Sequence, residues 1–232
     1  SITGEYGSYS LGSGLDLSGD ESVFYDDTLY KEGLALMEKG EYAKAIDKFN
    51  EQKTKDKSVF DYYKIQNKID EAKIKTKSFK VGDILRFGTY EDKTIEWLVL
   101  DKNDSKVLVI SNDVLFEKAY NDAYSDVTWE NCTLRSYLNN DFYNTAFSEE
   151  EKNLIAKSKI ENPDNPNFGT EGGNDTEDYI FLLSIDEANR YFKTDKDRSC
   201  GNAWWLRSPG DNQDSAAFVY YDGDVDYYGY SF

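Results

Sequence analysis

The order of apolar and polar positions divides the chain into stretches of different period. Residues 1–22 have none: five glycines and six serines lie among scattered polar residues, the composition of a flexible leader or linker. From Asp26 the apolar residues fall at helical spacing. Leu29, Gly33, Leu34, Leu36 and Met37 gather on one stripe, Gly40 breaks the run, and Tyr42, Ala45, Ile46 and Phe49 resume it, which predicts two helices joined by a glycine turn. Such a hairpin cannot cover its own apolar face. A third helix over residues 58–75, with Phe60, Tyr63, Ile65, Ile69, Ala72 and Ile74 roughly three or four apart, is expected to supply the cover.

From residue 79 strand-like runs take over. Val81, Ile84, Leu85 and Phe87 predict a first strand, residues 94–102 a second and residues 106–115 a third, with the Asn- and Asp-rich sequence DKNDSK as a hairpin turn. Residues 128–140 predict a helix capped by Thr128, with Cys132, Leu134, Tyr137 and Leu138 on its apolar side. Ser148 and Glu151 have the spacing of a capping box that opens a short helix running to Ile155. Residues 161–178 hold two of the three prolines and three glycines and read as a long loop, followed by a strand over residues 179–184 and a helix over residues 185–192. WWLRSP (residues 204–209) reads as a core strand, and residues 211–232 alternate strongly enough to predict a hairpin about Asp222 and Gly223.

Composition removes much chemistry from this frame. The chain of 232 residues contains no histidine, which excludes Ser-His-Asp and Cys-His nucleophile pairs and imidazole bases. With two cysteines as well, a structural zinc site of four Cys/His ligands cannot be assembled. Cys132 and Cys200 either form one disulfide or remain thiols, and the spacing does not decide. The net charge of −18 repels phosphates and argues against nucleic acid. That charge is uneven: residues 51–80 carry nine Lys and five acids, whereas residues 161–232 carry five basic residues and 15 acids. No run of 18 apolar residues and no basic-then-apolar leader is present, so neither a membrane span nor a signal peptide is predicted.

Two resemblances add to this reading. Residues 26–77, with their small residue, GEY turn and A-x-x-x-F ending, resemble a single tetratricopeptide-type hairpin with a third helix, and read as a stalk or as a peptide-binding surface. The series VGDILRFGTYE, IEWLVLD, TWENCTLRSYLN, FYNTAFSEEE and AWWLRSPG resembles the family known as domain of unknown function 6273, common in gut Firmicutes, over residues 79–232. That family is similar in turn to the C-type-lectin and formylglycine-generating-enzyme fold, the scaffold of retroelement-diversified variable proteins. The resemblance implies an α+β, C-type-lectin-like domain of antiparallel sheets with two flanking helices and long loops. Members commonly continue into a further strand after YGYS, whereas this sequence ends at Phe232, so the expectation is of a chain cut before that strand.

In the diversified relatives the ligand site lies in the C-terminal segment. By that resemblance Asp211, Asn212, Asp214, Tyr220, Tyr221, Asp224, Asp226, Tyr227 and Tyr228 are candidate contact residues, with Trp204 as a candidate stacking plane. Tyr mixed with Asp, Asn and Ser is also the make-up of antibody paratopes, where Tyr brings large rigid area at low entropic cost. The bland reading is a solvated hairpin whose acids keep the protein soluble. Trp205 and Arg207 read as core, Arg207 paired with a buried carboxylate. Asp222, Asp224 and Asp226 suggest calcium, but Tyr227 stands where an EF-hand loop needs Gly, and the EPN and WND tripeptides of calcium-dependent lectins are absent; no cofactor is expected, calcium being the one metal these acids or the loop over residues 161–178 would suit.

The expectation is therefore a non-catalytic recognition module binding a protein or carbohydrate ligand, displayed outside the cytoplasm at the bacterial cell surface. Two alternatives stand beside it: an assembly protein that binds a partner through its helical hairpin, and an enzyme oxidising a protein thiol through Cys132 and Cys200.

Overall fold

The structure is a computed structural model that describes residues 25–231; the proposed leader over residues 1–22 lies outside the described residues. The described residues separate into two compact units that meet in sequence between Ser78 and Phe79. Among them no helix is long and apolar enough to cross a membrane.

The first unit is helical. Helices α1 (Thr28–Glu38) and α2 (Tyr42–Lys55) form an antiparallel hairpin, and Gly33 lets them approach: a Cβ there would lie 2.2 Å from the Phe49 ring. The expected third helix is two. Asp56 caps α3 (Lys57–Tyr62), and Lys64, left-handed at φ 50°, separates it from α4 (Ile65–Thr76). Phe60 and Ile65 are five residues apart and would point about 140° from each other on one continuous helix. The break lets both join Ala45, Phe49 and Ile69 in one core. The same helix α2 buries one amide: Gln52 is fully buried, and among the described residues its side-chain nitrogen and oxygen have no hydrogen-bond partner.

The second unit mixes antiparallel sheets and short helices, the α+β class. Strands β1 (Ile84–Tyr90), β2 (Lys93–Lys102) and β3 (Val107–Ser111) form a meander in that order. The β2–β3 turn is held by Asn103, whose side-chain oxygen accepts from the backbone of Ser105 and Lys106. β2 is covered on both faces. Trp97 stacks on Phe87 at 5.2 Å and meets Phe147, while Leu100 belongs to a core with Leu183, Ile185, Ala188, Leu206, Ala217, Val219 and Val225.

The helix expected over residues 128–140 starts later and runs further. The Thr128 carbonyl closes a turn with the backbone of Asn131 and Cys132, and α5 (Thr133–Tyr137) continues through a π turn (Leu138–Phe142) into α6 (Tyr143–Ala146). Its buried residues Leu134, Leu138, Phe142 and Ala146 recur every four positions. On a regular α-helix each such step drifts by about 40°, and the wider π turn offsets part of that drift while all four stay buried. Ser148 and Glu151 form the expected capping box of α7 (Glu149–Lys152), and Glu151 also accepts from the Gly88 amide at 2.6 Å.

Residues 161–178 are a loop except at the end, where β5 (Thr176–Asp178) pairs with β4 (Ser158–Ile160). Residues 179–184 are not the expected strand. Their backbone is met singly: the Asn139 side chain accepts from Tyr179 and Ile180 and donates to Ile180, and Leu183 accepts from the Arg207 amide. Then come α8 (Ile185–Tyr191), with its own Ser184–Glu187 capping box, α9 (Asp195–Arg198), and the C-terminal sheet of β6 (Trp204–Pro209), β7 (Ser215–Val219) and β8 (Val225–Ser231), ordered β8-β7-β6.

Two buried charges pin the unit. Asp178, fully buried, accepts from the Trp129 indole, the Thr176 hydroxyl and Arg135. Arg207, 3% exposed, donates to the Leu182 and Glu161 carbonyls at 2.8 Å and to the Asn162 side chain, and pairs with Glu187. The expected carboxylate partner is there, but half-buried, and the remaining acceptors are neutral oxygens.

Replacing the orphaned amide by Gln52→Leu is expected to stabilise the helical unit by about 1–2 kcal/mol, read as a higher denaturation midpoint; an unchanged or lower midpoint would mean the amide is satisfied. Arg207→Met should destabilise the second unit by about 3 kcal/mol, because two part-buried carbonyls, the buried Asn162 side chain and the Glu187 carboxylate lose their donor, and a loss below about 1 kcal/mol in denaturant titration would contradict the pin.

Candidate functional site

The C-terminal sheet presents two chemically different faces. Trp204, Leu206, Ala217, Val219, Val225 and Tyr227 take the side that packs with α8 and β2 in the apolar core. The other side follows from register, since directly opposed residues share a face. Trp205 lies opposite Phe218, Asp226 opposite Phe218 from the other strand, and Tyr230 opposite Ala216. Trp205 meets Phe218 edge-on at 6.1 Å, and Phe218 meets Tyr220 edge-on at 4.7 Å, so three rings form a row across this face. Behind the row, buried Tyr120 touches Trp205 at 5.7 Å and donates to the Arg207 carbonyl.

Asp226 closes the row on its acidic side. Its carboxylate lies beside the Tyr220 phenol and, with the charges of Asp224 and Asp222, pushes the phenol pKa above its ordinary value. The same carboxylate accepts from the Tyr228 and Gly229 amides, which shapes the bulge where two extra residues of β8 leave the ladder. That bulge turns Tyr228 out to 65% exposure, against Phe168 at 4.9 Å. Tyr230 is 68% exposed.

The hairpin carrying these side chains is strapped down. Arg198 donates to the Gly223 carbonyl at 2.8 Å and Ser199 to the Tyr221 carbonyl at 2.7 Å. Gly223 has φ 97°, and a Cβ there would fall 1.7 Å from the Asp195 carbonyl, so only glycine fits the turn. At the other end Asn165, buried, donates to the carbonyls of Pro209, Gly210 and Tyr227. Gln213 exchanges backbone and side-chain bonds with Val127 and also reaches Glu171.

Of the residues expected in the site, Tyr220 and Asp226 are together at its centre, and Tyr221, Asp224 and Tyr228 are exposed at its margin. Asp211 and Asn212 are exposed in the β6–β7 turn, bonded to each other. Asp214 stands beside the Tyr124 phenol and raises its pKa. Trp204 and Tyr227 are half-buried on the opposite face, where Trp204 meets Phe192 and the Tyr227 hydroxyl accepts from Asn189. The tryptophan roles are thus the reverse of those expected: Trp204 faces the core and Trp205 the aromatic row. Phe218, Tyr230, Tyr124 and Phe168 were not expected; only the Tyr–Asp make-up of YNDAYSD, the same as that of the C-terminal segment, hinted at Tyr124.

The DUF6273 family model, described as a domain of unknown function, matches residues 104–232, more than half of the chain. The chain belongs to this family. The DUF6273 match begins in the turn before β3, so β1 and β2 precede it although they share a sheet with β3. No curated protein and no solved structure matches the chain.

Both cysteines of the DUF6273 match are free thiols, so the disulfide alternative does not hold. Cys132 is buried beside Trp129, and burial pushes its thiol up to about 11, whereas Cys200 is exposed. Among the described residues no group of three acidic or thiol side chains is arranged to hold a metal ion. Asp222 and Asp226 instead accept from nearby backbone amides.

At pH 8 a thiol with a pKa near 11 is ionised to about one part in a thousand. Iodoacetamide is therefore expected to modify Cys200 alone in the native protein and Cys132 only after denaturation, as read by peptide mass spectrometry; rapid native labelling of Cys132 would contradict the burial.

Proposed function

We propose that the DUF6273 domain is a non-catalytic, C-type-lectin-like recognition module, and that its contact surface is the outward face of the C-terminal sheet. The observation that carries the reading is the ring row Trp205–Phe218–Tyr220 with Asp226 beside it, across a sheet whose β7–β8 hairpin is strapped at both ends. Aromatic side chains concentrate binding energy because each covers much area while losing few torsions, and a surface ordered beforehand loses little entropy on binding. The sequence contains no histidine, and burial pushes the Cys132 thiol up to about 11, away from a reactive thiolate, which supports the non-catalytic part of the reading.

A second reading, partner binding through the helical unit, is favoured by a groove between α1 and α2 lined by Ala35 and Leu36 and rimmed by Glu32, Lys39, Lys44, Asp47 and Lys48.

The two separate in one experiment. The intact protein is applied to an array of glycans and purified cell-surface proteins, alongside Tyr220→Ala, Tyr221→Ala and Tyr228→Ala, and alongside Leu36→Arg. Each tyrosine variant is expected to keep the fold and weaken a true ligand by about 1–2 kcal/mol, roughly tenfold in Kd. Ligands lost only with Leu36→Arg would move the site to the helices.

A further inference from the structure

Resting on that reading of the face, we infer that its ligand is a cationic segment of another protein, a stretch bearing several Lys or Arg side chains. Three separate parts of the chain meet around the C-terminal sheet. Residues 119–127 are tied in through Val127 and Gln213, residues 161–178 through Asn165 and through Thr170 donating to the Asp211 carbonyl, and residues 208–231 form most of the sheet itself. They contain two, six and five acidic residues respectively and not one Lys or Arg. Elsewhere the two signs are mixed: residues 81–160 as a whole hold nine basic residues among 15 acids. The fold thus gathers cation-free segments around one aromatic surface.

Some of those carboxylates are already engaged. Asp178 is held by Arg135 and Asp175 by Lys159. The nearest basic residue in sequence to the first segment, Lys118, sets its ammonium 4.8 Å from the Tyr137 ring. Asp211, Asp214, Asp222, Asp224 and Asp226 are paired with no cation in any ion pair of the described residues. Exposed rings with carboxylates at their edge are the arrangement that attracts an ammonium or guanidinium: the ring face supplies cation–π attraction and the carboxylate a charge-assisted hydrogen bond. A flat sugar-stacking platform is a poorer match, because the row rings meet at 65° and 74° and share no common plane. A free anion is repelled.

The test uses the intact protein and three fluorescent twelve-residue peptides, alternating Ser with Lys, with Asn or with Glu, together with a neutral glucose hexasaccharide in competition. The Lys peptide is expected to bind at least about tenfold more tightly than the Asn peptide, to weaken as salt rises, and to lose about fivefold to tenfold with Tyr220→Ala. Asp224→Asn with Asp226→Asn should lose as much, since asparagine keeps the acceptor that shapes the bulge; melting temperature checks that both variants are folded. Glu38→Gln with Glu150→Gln makes the same charge change elsewhere and should leave binding within about twofold. Equal losses in the two double variants would mean diffuse attraction to an acidic protein and would overturn the inference. So would preferential binding of the Asn peptide or the hexasaccharide that Tyr220→Ala abolishes, an outcome that leaves the recognition face itself standing. Loss of peptide binding to self-association, seen as a concentration-dependent dimer that Tyr220→Ala dissolves, would assign the face to a second copy instead. No binding of any probe overturns it too.

Discussion

Arg207 is the interaction on which the second unit depends. A guanidinium taken almost entirely out of water costs several kcal/mol unless its donors find acceptors, and this one reaches into four separate places: the Glu161 carbonyl, the Asn162 side chain, the Leu182 carbonyl and the Glu187 carboxylate. Glu187 is at the same time the acceptor for the Ser184 amide in the capping box of α8. One side chain therefore fixes the start of a long loop, the extended segment over residues 179–184 and the first turn of a helix against β6. Segments poor in ladder hydrogen bonds are held by a charge that cannot be left without them.

That pin sets the division of labour in the C-terminal sheet. With α8 and its neighbours drawn to one side, Leu206, Ala217, Val219 and Val225 fill a close-packed core, and the small residues Gly210, Ala216 and Gly229 bring chain segments into near contact. The opposite side is left to larger rings and acids. Its rigidity is a property of the straps at Gly223 and Asn165, which satisfy backbone groups that a free hairpin would leave to water.

Local signals in the sequence suffice where one neighbour decides the outcome. The helical hairpin around Gly40, the Ser148–Glu151 capping box, the Asn103 turn and the hairpin at Asp222–Gly223 all appear where periodicity and turn chemistry place them. The elements that depart from the local pattern share a cause. The break at Lys64, the π turn over Leu138–Phe142 and the loss of strand character in residues 179–184 each arise because a distant core or a distant side chain outbids the local pattern. YIFLLS is as apolar as any strand, yet its Tyr179 and Ile180 amides are taken by Asn139 and its Ile180, Leu182 and Leu183 carbonyls by Asn139 and Arg207.

The candidate site divides the same way. That the C-terminal segment is rich in Tyr and Asp, lacks Lys and Arg after Arg207, and turns at Gly223 is a matter of sequence, because residue type and glycine conformation are local properties. Which rings face outward is not. Register shifts between Trp205 and Pro209 and between Asp226 and Tyr230 each take two extra residues out of the ladder, and which way those side chains turn is set by the segments packed against them. The exchange of roles between Trp204 and Trp205, and the arrival of Tyr124 and Phe168 from loops 40 or more residues away, were decided only by tertiary packing, since burying one face of a sheet is a contest among all the segments that can cover it.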